Sequence, residues 1–387
     1  MFINEFGLKL IYAVCFLSLI FYTFVCVFKG VTDNEVNILS ESDIELAVEN
    51  VFPFSNEVKE IYGLSNKIIS PNEKVTGSTA IIKDGDGFLF FIGPASIETV
   101  DYAKNKIVEL NDYCHSLDTE FAFIYYPSKS NSNVISTEYG IDTNLEEIRY
   151  DFISYLEKNG IDYLHIRELL EGDGYKTKDV FYKTDHHWTT NAGLYSARAI
   201  VNYLNDEYGY RLNNSDLDEN EFSYIYYDDL WFGETGRSLS RSWVGTLDGF
   251  TQIMPKNNTS ISQIYADGTR VDGDFSIMVD DYWYDKENIN YYDFSAHYTY
   301  AKGMAPNPVI YHNNYIDENG KKILIIKDSF SIVVIPFLTL AVEDIAIWDM
   351  REVSDSDSLY EYIKDNNFDA VLLAYNDFWA EHMWNFS

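Results

Sequence analysis

The stretch Ile323-Leu324-Ile325-Ile326-Lys327-Asp328-Ser329-Phe330 sets a short apolar run against a polar turn, with a serine just past the junction. A run of this length, rich in β-branched residues and bounded by polar ones, suits a strand buried on both faces. Downstream, Ile332 to Val342 has the apolar density of a helix, and Pro336 inside it is expected to kink it. Ile345 to Trp348 reads as the next strand, Ser358 to Asp365 as a helix and Ala370 to Ala374 as the last strand. Alternation of this kind predicts parallel βαβ units and an α/β fold.

Upstream the pattern repeats. Phe121 to Tyr126 is a continuous apolar run closed by Pro127, and Ile107, Leu110 and Tyr113 or Cys114 before it keep helical spacing. Leu145, Ile148, Phe152, Tyr155 and Leu156 after it do the same, and Tyr163 to Ile166 reads as a short strand. The turn at Gly85-Asp86-Gly87 feeds Phe88 to Phe91, which is expected to be the first strand of the core. Between about residues 205 and 315, Tyr, Asp, Asn and Gly dominate and turn dipeptides such as Asp248-Gly249 and Asp267-Gly268 recur. This region reads as a β-rich insertion or lid on the α/β domain.

The amino terminus has another character. Leu10 to Phe28 holds no charge and is bracketed by Lys9 and Lys29. That is close to the roughly 20 residues a bilayer-crossing helix needs. A cleaved signal peptide has a shorter apolar region ending in small residues, whereas this run ends Val25-Cys26-Val27-Phe28, so an uncleaved anchor is expected over residues 1–30. An acidic stalk over 31–56 and a domain over 57–387 follow. The lysine bias leans toward an extracytoplasmic C-terminal domain, which places the chain in the cell membrane as a single-pass protein.

Charge and cysteine content exclude several classes. A net charge of -34 repels nucleic-acid phosphates and anionic headgroups, so no nucleic-acid partner is expected. Cys15 and Cys26 fall in the apolar segment and Cys114 stands alone in the domain, leaving no disulfide framework and no cysteine-rich zinc site. With 32 Tyr, the chain is rich in flat amphipathic faces that stack on sugar rings as readily as they fill cores.

The chemistry concentrates in Phe181-Tyr182-Lys183-Thr184-Asp185-His186-His187-Trp188-Thr189. In an extended segment Asp185 and His187 share a side and His186 faces away. A carboxylate so placed can hold the imidazole Nδ1–H and aim Nε2 at a substrate. Two other roles stay open for the segment: packed, hydrogen-bonded histidines, or metal ligands completed by the distant His297 or His312. Thr190 and Asn191 can cap a helix with Leu194, Ala197, Val201 and Leu204 on its apolar face. Ser329, at the carboxyl end of a predicted parallel strand, stands where open α/β sheets carry their sites, and its N–H can serve an oxyanion. The other reading is that Ser329 or Ser331 caps the following helix. Lys129 and Asn376, each after a strand, are candidate oxyanion donors, and Trp243 is a candidate sugar-stacking residue.

Together, YKTDHHWT with its following helix, ILIIKDSFS and SWVGT at 242–246 resemble the bacterial DHHW proteins, which are similar to the SGNH-hydrolase-like domains of alginate O-acetyltransferases. The resemblance implies a flavodoxin-like, SGNH-hydrolase-like three-layer sandwich. It also implies that Asp185 and His187 are the orienting carboxylate and the base, and that Ser329 is the nucleophile. The expected function is an extracytoplasmic O-acyltransferase or acylesterase, with acetyl as the group and a cell-surface glycan as substrate, needing no cofactor and no metal. A membrane acyl-donor partner is compatible with it. The alternative is a non-catalytic glycan-binding or envelope-assembly protein on a degenerate hydrolase fold.

Overall fold

The computed structural model describes residue 18 and residues 55–70, 73–76, 79–92, 97–129, 145–280, 295–316, 320–352 and 356–376. Apart from residue 18, the apolar segment 10–28 lies outside them, as does nearly all of the stalk. Among the described residues no helix is long and apolar enough to cross a membrane.

Two compact units emerge. The smaller joins the chain up to Ile69 with Leu239–Trp243. Its described part is helix α1, Ser55–Ile69, whose Glu60 carboxylate accepts the backbone N–H groups of Arg241 and Ser242 at 2.9 and 2.7 Å. A Cβ at Gly63 would overlap Ser240 Oγ, so a glycine is needed for the two segments to approach this closely. The expected boundary at 56/57 therefore falls inside a helix.

The larger unit carries the chemistry. Strands β1 (Glu73–Thr76), β2 (Thr79–Lys83) and β3 (Leu89–Ile92) form a small antiparallel sheet. The run after Gly85-Asp86-Gly87 is thus not the first core strand: the Asp84 carboxylate accepts the N–H groups of Asp86 and Phe88, and the tight turn folds β3 back onto β2. The main sheet is built from β4 (Glu120–Tyr126), β5 (Asp162–His165), β8 (Ile261–Tyr265), β9 (Arg270–Gly273), β10 (Val309–Asn313), β11 (Lys322–Lys327), β12 (Asp344–Trp348) and β13 (Ala370–Asn376). Its order is β5-β4-β13-β11-β12-β10-β8-β9. The first five run parallel and the last three are antiparallel additions. Strands β6 (Phe222–Trp231) and β7 (Asp248–Pro255) pair as a separate hairpin. The β-rich region is therefore woven in part into the sheet instead of standing on it as a lid.

Alternation along the central strands produces three layers. Ala122, Ile124, Ile323, Ile325, Leu372 and Ala374 face one core together with Leu194, Ala197, Val201 and Leu204 of helix α4 (Thr190–Tyr208). Their sequence neighbours Phe121, Phe123, Leu324, Ile326, Val371 and Leu373 face the other. There they meet α2 (Ile97–Ser116) and α3 (Leu145–Lys158) through Ile107, Leu110, Cys114, Phe152 and Leu156. Strands buried on both faces read as unbroken apolar runs because each successive side chain enters a different core.

After β11 the expected long helix is replaced by a 3-10 turn, Ser329–Val333, and a short helix α5, Ile335–Leu338. Pro336 sits in the first turn of α5, where its missing N–H costs nothing, so it begins a helix instead of kinking one. Helix α6 (Ser356–Asn366) then leads to β13.

Candidate active site

The segment carrying Asp185 is a tight loop and not an extended strand. Phe181 and Trp188 pair across it, Thr189 N–H donates to the Val180 carbonyl at 2.8 Å, and Tyr182 N–H to that of His187 at 3.2 Å. Thr189, one residue earlier than expected, caps α4 by accepting the Ala192 N–H on its side chain.

Inside the loop, His187 Nδ1 lies 2.6 Å from Asp185 Oδ1 and His187 Nε2 lies 2.7 Å from Ser329 Oγ. Asp185 is held on both oxygens: Oδ1 also accepts the His187 N–H at 2.8 Å and Oδ2 the Glu234 N–H at 2.7 Å. A Cβ at Gly233 would stand 2.4 Å from the Asp185 nitrogen, so only glycine lets that donor segment come so near. Burial pushes the Asp185 carboxyl up, but the charge and hydrogen bond of His187, with His186 and the Glu234 N–H, hold it well below the usual range. It is the ionised partner a protonated imidazole needs.

Ser329 reaches this pair because β11 ends beside β13. Asp328, not Ser329, caps the 3-10 turn: its Oδ1 accepts the Phe330 N–H at 2.8 Å and its Oδ2 the Asn376 N–H at 3.0 Å. That leaves the Ser329 hydroxyl for His187. Burial lifts the Asp328 carboxyl to about 6 against the pull of those two N–H groups. Trp188 Nε1–H donates to the Phe330 carbonyl at 2.9 Å, tying the loop to the turn that carries Ser329.

The remaining sequence candidates fall differently. Lys129, expected as an oxyanion donor, spends all three ammonium protons on the carbonyls of Tyr182, Lys183 and Asp185 at 2.6, 2.7 and 2.9 Å. It is a strut under the loop, and no proton is left over for an oxyanion. Burial pulls its ammonium down to about 8, opposed by Asp248, Asp185 and Asp84. Asn376 is buried and lines a cavity of about 280 Å³ with Lys129, His186, Glu234, Phe91 and Phe330. Trp243 belongs to the segment of the smaller unit and is buried, its N–H donating to Ser240 Oγ at 3.3 Å.

His186 does not face away. The loop lacks strand alternation, so its ring lies 3.8 Å from that of His187 and borders the cavity. Burial and the neighbouring His187 push it down to about 3, which keeps it neutral. Spacing did not reveal His297 as a neighbour of these three residues: it stacks on His187 and its Nε2 lies 2.8 Å from the Ser329 carbonyl oxygen. It comes from a 3-10 turn, Ala296–Tyr300, far along the chain, and no local pattern marks it.

Residues 100–222 match the family described as SGNH hydrolase-like domain, acetyltransferase AlgX. Comparison with curated proteins gives no match. Among solved structures, PatB1 from Bacillus cereus superposes with a TM-score of 0.60 at 22% identity, covering 77% of this chain and 96% of PatB1. PatB1 with a sulfonyl adduct gives 0.56 at 20% identity, covering 78% and 97%. A DHHW family protein from Eubacterium siraeum gives 0.58 at 18% identity, covering 80% and 93%. The chain therefore carries an SGNH-hydrolase-like α/β domain with the DHHW string at Asp185 to Trp188, similar to the acetyltransferase AlgX over residues 100–222 and sharing the fold of PatB1.

Proposed function

We propose that this chain transfers or hydrolyses O-acyl groups, acetyl foremost, on a cell-surface glycan, with Ser329 as nucleophile, His187 as general base then acid, and Asp185 as its orienter. The observation that carries the reading is the continuous hydrogen-bonded line Asp185 Oδ1, His187 Nδ1, His187 Nε2, Ser329 Oγ at 2.6 and 2.7 Å. Ser329 Oγ attacks the acyl carbonyl carbon and its proton passes to His187 Nε2. The tetrahedral intermediate collapses, the bond to the donor oxygen breaks, and that oxygen takes the proton from His187. A glycan hydroxyl, or water, then attacks the acyl-serine while His187 accepts its proton, and Ser329 Oγ leaves and recovers it. Ser329 opens a helical turn, so its own N–H points out of the turn's start, where a developing oxyanion is stabilised.

A domain outside the cytoplasm, anchored by residues 10–28, belongs to the same proposal and rests on the uncharged run between Lys9 and Lys29. Protease added to intact spheroplasts should digest the domain, and protection from it would overturn this topology. The chemistry is tested by mass spectrometry of the full-length chain after incubation with a chromogenic acetyl ester. An added acetyl group on the peptide containing Ser329, absent in Ser329→Ala, is the expected result. Unchanged turnover by folded Ser329→Ala would refute the mechanism.

A further inference from the structure

At the other end of the central strands from Ser329, a second group of side chains converges. His312 of β10 is the direct antiparallel partner of Asp344, the first residue of β12, and side chains so opposed share one face of the sheet. His312 Nδ1 lies 2.7 Å from Asp344 Oδ1, and Lys322 Nζ lies 3.3 Å from Asp344 Oδ2. Glu343 precedes this pair and is fixed by its carbonyl, which accepts the Asn313 N–H at 2.8 Å. Its side chain is 4% exposed, and Oε2 has no hydrogen-bond partner. Gly320 closes over it so tightly that a Cβ there would stand 2.9 Å from Oε2. One ligand atom from each of His312, Glu343 and Asp344 lies within 4.8 Å of the others.

A buried carboxylate oxygen without a donor is costly, and the ammonium of Lys322 is engaged by Asp344 and not by Glu343. We infer that His312, Glu343 and Asp344 form a binding site for one divalent cation of the zinc class. One imidazole nitrogen with two carboxylates is a donor set that zinc accepts, whereas calcium and magnesium take oxygen ligands. Ligand bonds of about 2.0–2.2 Å require the three atoms to close by small side-chain rotations, with no change of the β10 and β12 pairing. The cation takes the place of the hydrogen on His312 Nδ1, and the imidazole binds as the neutral tautomer that carries its proton on Nε2. Such an ion clamps the antiparallel extension, through β10, to the parallel core, through β12. Because Asp344 pairs with Lys322 and Ser329 lies just beyond Lys327, the ion stands roughly 20 Å from the nucleophile at 3.3 Å per strand residue, which makes it structural and not catalytic.

The test uses the full-length chain, stripped with a chelator and titrated with Zn²⁺ while binding and Tm are followed. One saturable equivalent and a rise in Tm are expected, with ester turnover of the folded stripped chain unchanged. His312→Gln and Glu343→Gln should each weaken binding at least tenfold, and His186→Ala should leave it intact. His312 is partly exposed, so its variant decides the matter if the Glu343 variant does not fold. Absence of saturable binding overturns the site. So does binding that survives His312→Gln and is lost on His186→Ala, since the ion then sits at the Asp185 loop.

Discussion

His297 lies flat against His187, with ring centroids 3.7 Å apart and planes 10° apart, while its Nε2 meets the Ser329 carbonyl oxygen at 2.8 Å. Burial and the neighbouring charge of His187 hold its pKa well below the usual imidazole range, so it stays neutral and donates that hydrogen bond. In the proposed mechanism, the charge that His187 gains with the serine proton develops beside an aromatic face and not beside a second cation. His297→Phe keeps the face and loses the N–H. A hydrogen bond of this kind contributes about 1 kcal/mol, so kcat for ester turnover should fall about fivefold. His297→Ala loses both and should fall further. A purely structural role would instead lower Tm in both variants and leave the acylation rate of folded protein unchanged.

The triad itself predicts a steeper loss. Ser329→Ala and His187→Ala should each reduce turnover by orders of magnitude, and Asp185→Asn by up to about 10⁴, because the amide no longer fixes the correct tautomer. The Ser329 and His187 double variant should be little worse than either alone, since the two act as one unit. Burst kinetics with an acetyl ester measure all four.

For His186 the loop geometry changes the expectation. Strand alternation would put its ring on the far side and make its removal nearly silent. It borders the 280 Å³ cavity instead, beside Phe330 and Glu234. His186→Ala should therefore raise KM for the acyl acceptor about fivefold, equivalent to about 1 kcal/mol of lost contact, with the acylation burst retained. Separate measurement of burst amplitude and acceptor KM distinguishes the two expectations.

What the sequence revealed follows from how local each signal is. Ile323 to Ile326 and Ala370 to Ala374 are legible because burial on both faces leaves an unbroken apolar run, and Ser329 is legible because it follows such a run. Asp185 and His187 are close in sequence, so their partnership survives the change from strand to loop. The direction of His186 does not, because it depends on the Phe181 and Trp188 pairing that makes the loop. His297 and the His312 group are set by long-range register, which composition and spacing do not encode. The long helix expected at Ile332 failed because Asp328 and Pro336 each start a separate short turn.

Beneath the turn that carries Ser329, Lys327 and Asp349 form an ion pair at 2.7 Å, both side chains nearly buried, at the carboxyl ends of β11 and β12. Burial pushes the Asp349 carboxyl up, but Arg351 and Lys327 outweigh it and hold it below the ordinary range. A depressed carboxyl contributes stability that is fully present above its unfolded value of about 3.9 and is lost as pH falls through the folded one. Asp349→Asn strands Lys327 and should cost about 3–5 kcal/mol at pH 7. Urea unfolding from pH 7 down to 2.5 should show the gap between wild type and variant narrowing below about pH 4. A gap that stays constant through that range would mean the pair is not the source.

Lys129 gives the sharpest separation of support from chemistry. Its ammonium meets three carbonyls, those of Tyr182, Lys183 and Asp185, and these lie on the loop that positions Asp185 and His187. Each carbonyl left buried without a donor costs about 1–3 kcal/mol, so Lys129→Met should destabilise the domain by several kcal/mol. Lys129→Arg should rescue little, because a planar fork cannot aim protons at three acceptors grouped around one nitrogen. An oxyanion donor would behave otherwise: its loss lowers kcat by about 10²–10³ with little change in Tm. The expected outcome is a large fall in Tm and, for protein still folded at low temperature, a smaller loss of kcat than Ser329→Ala produces. Thermal unfolding paired with single-turnover acylation at that temperature decides between the two roles.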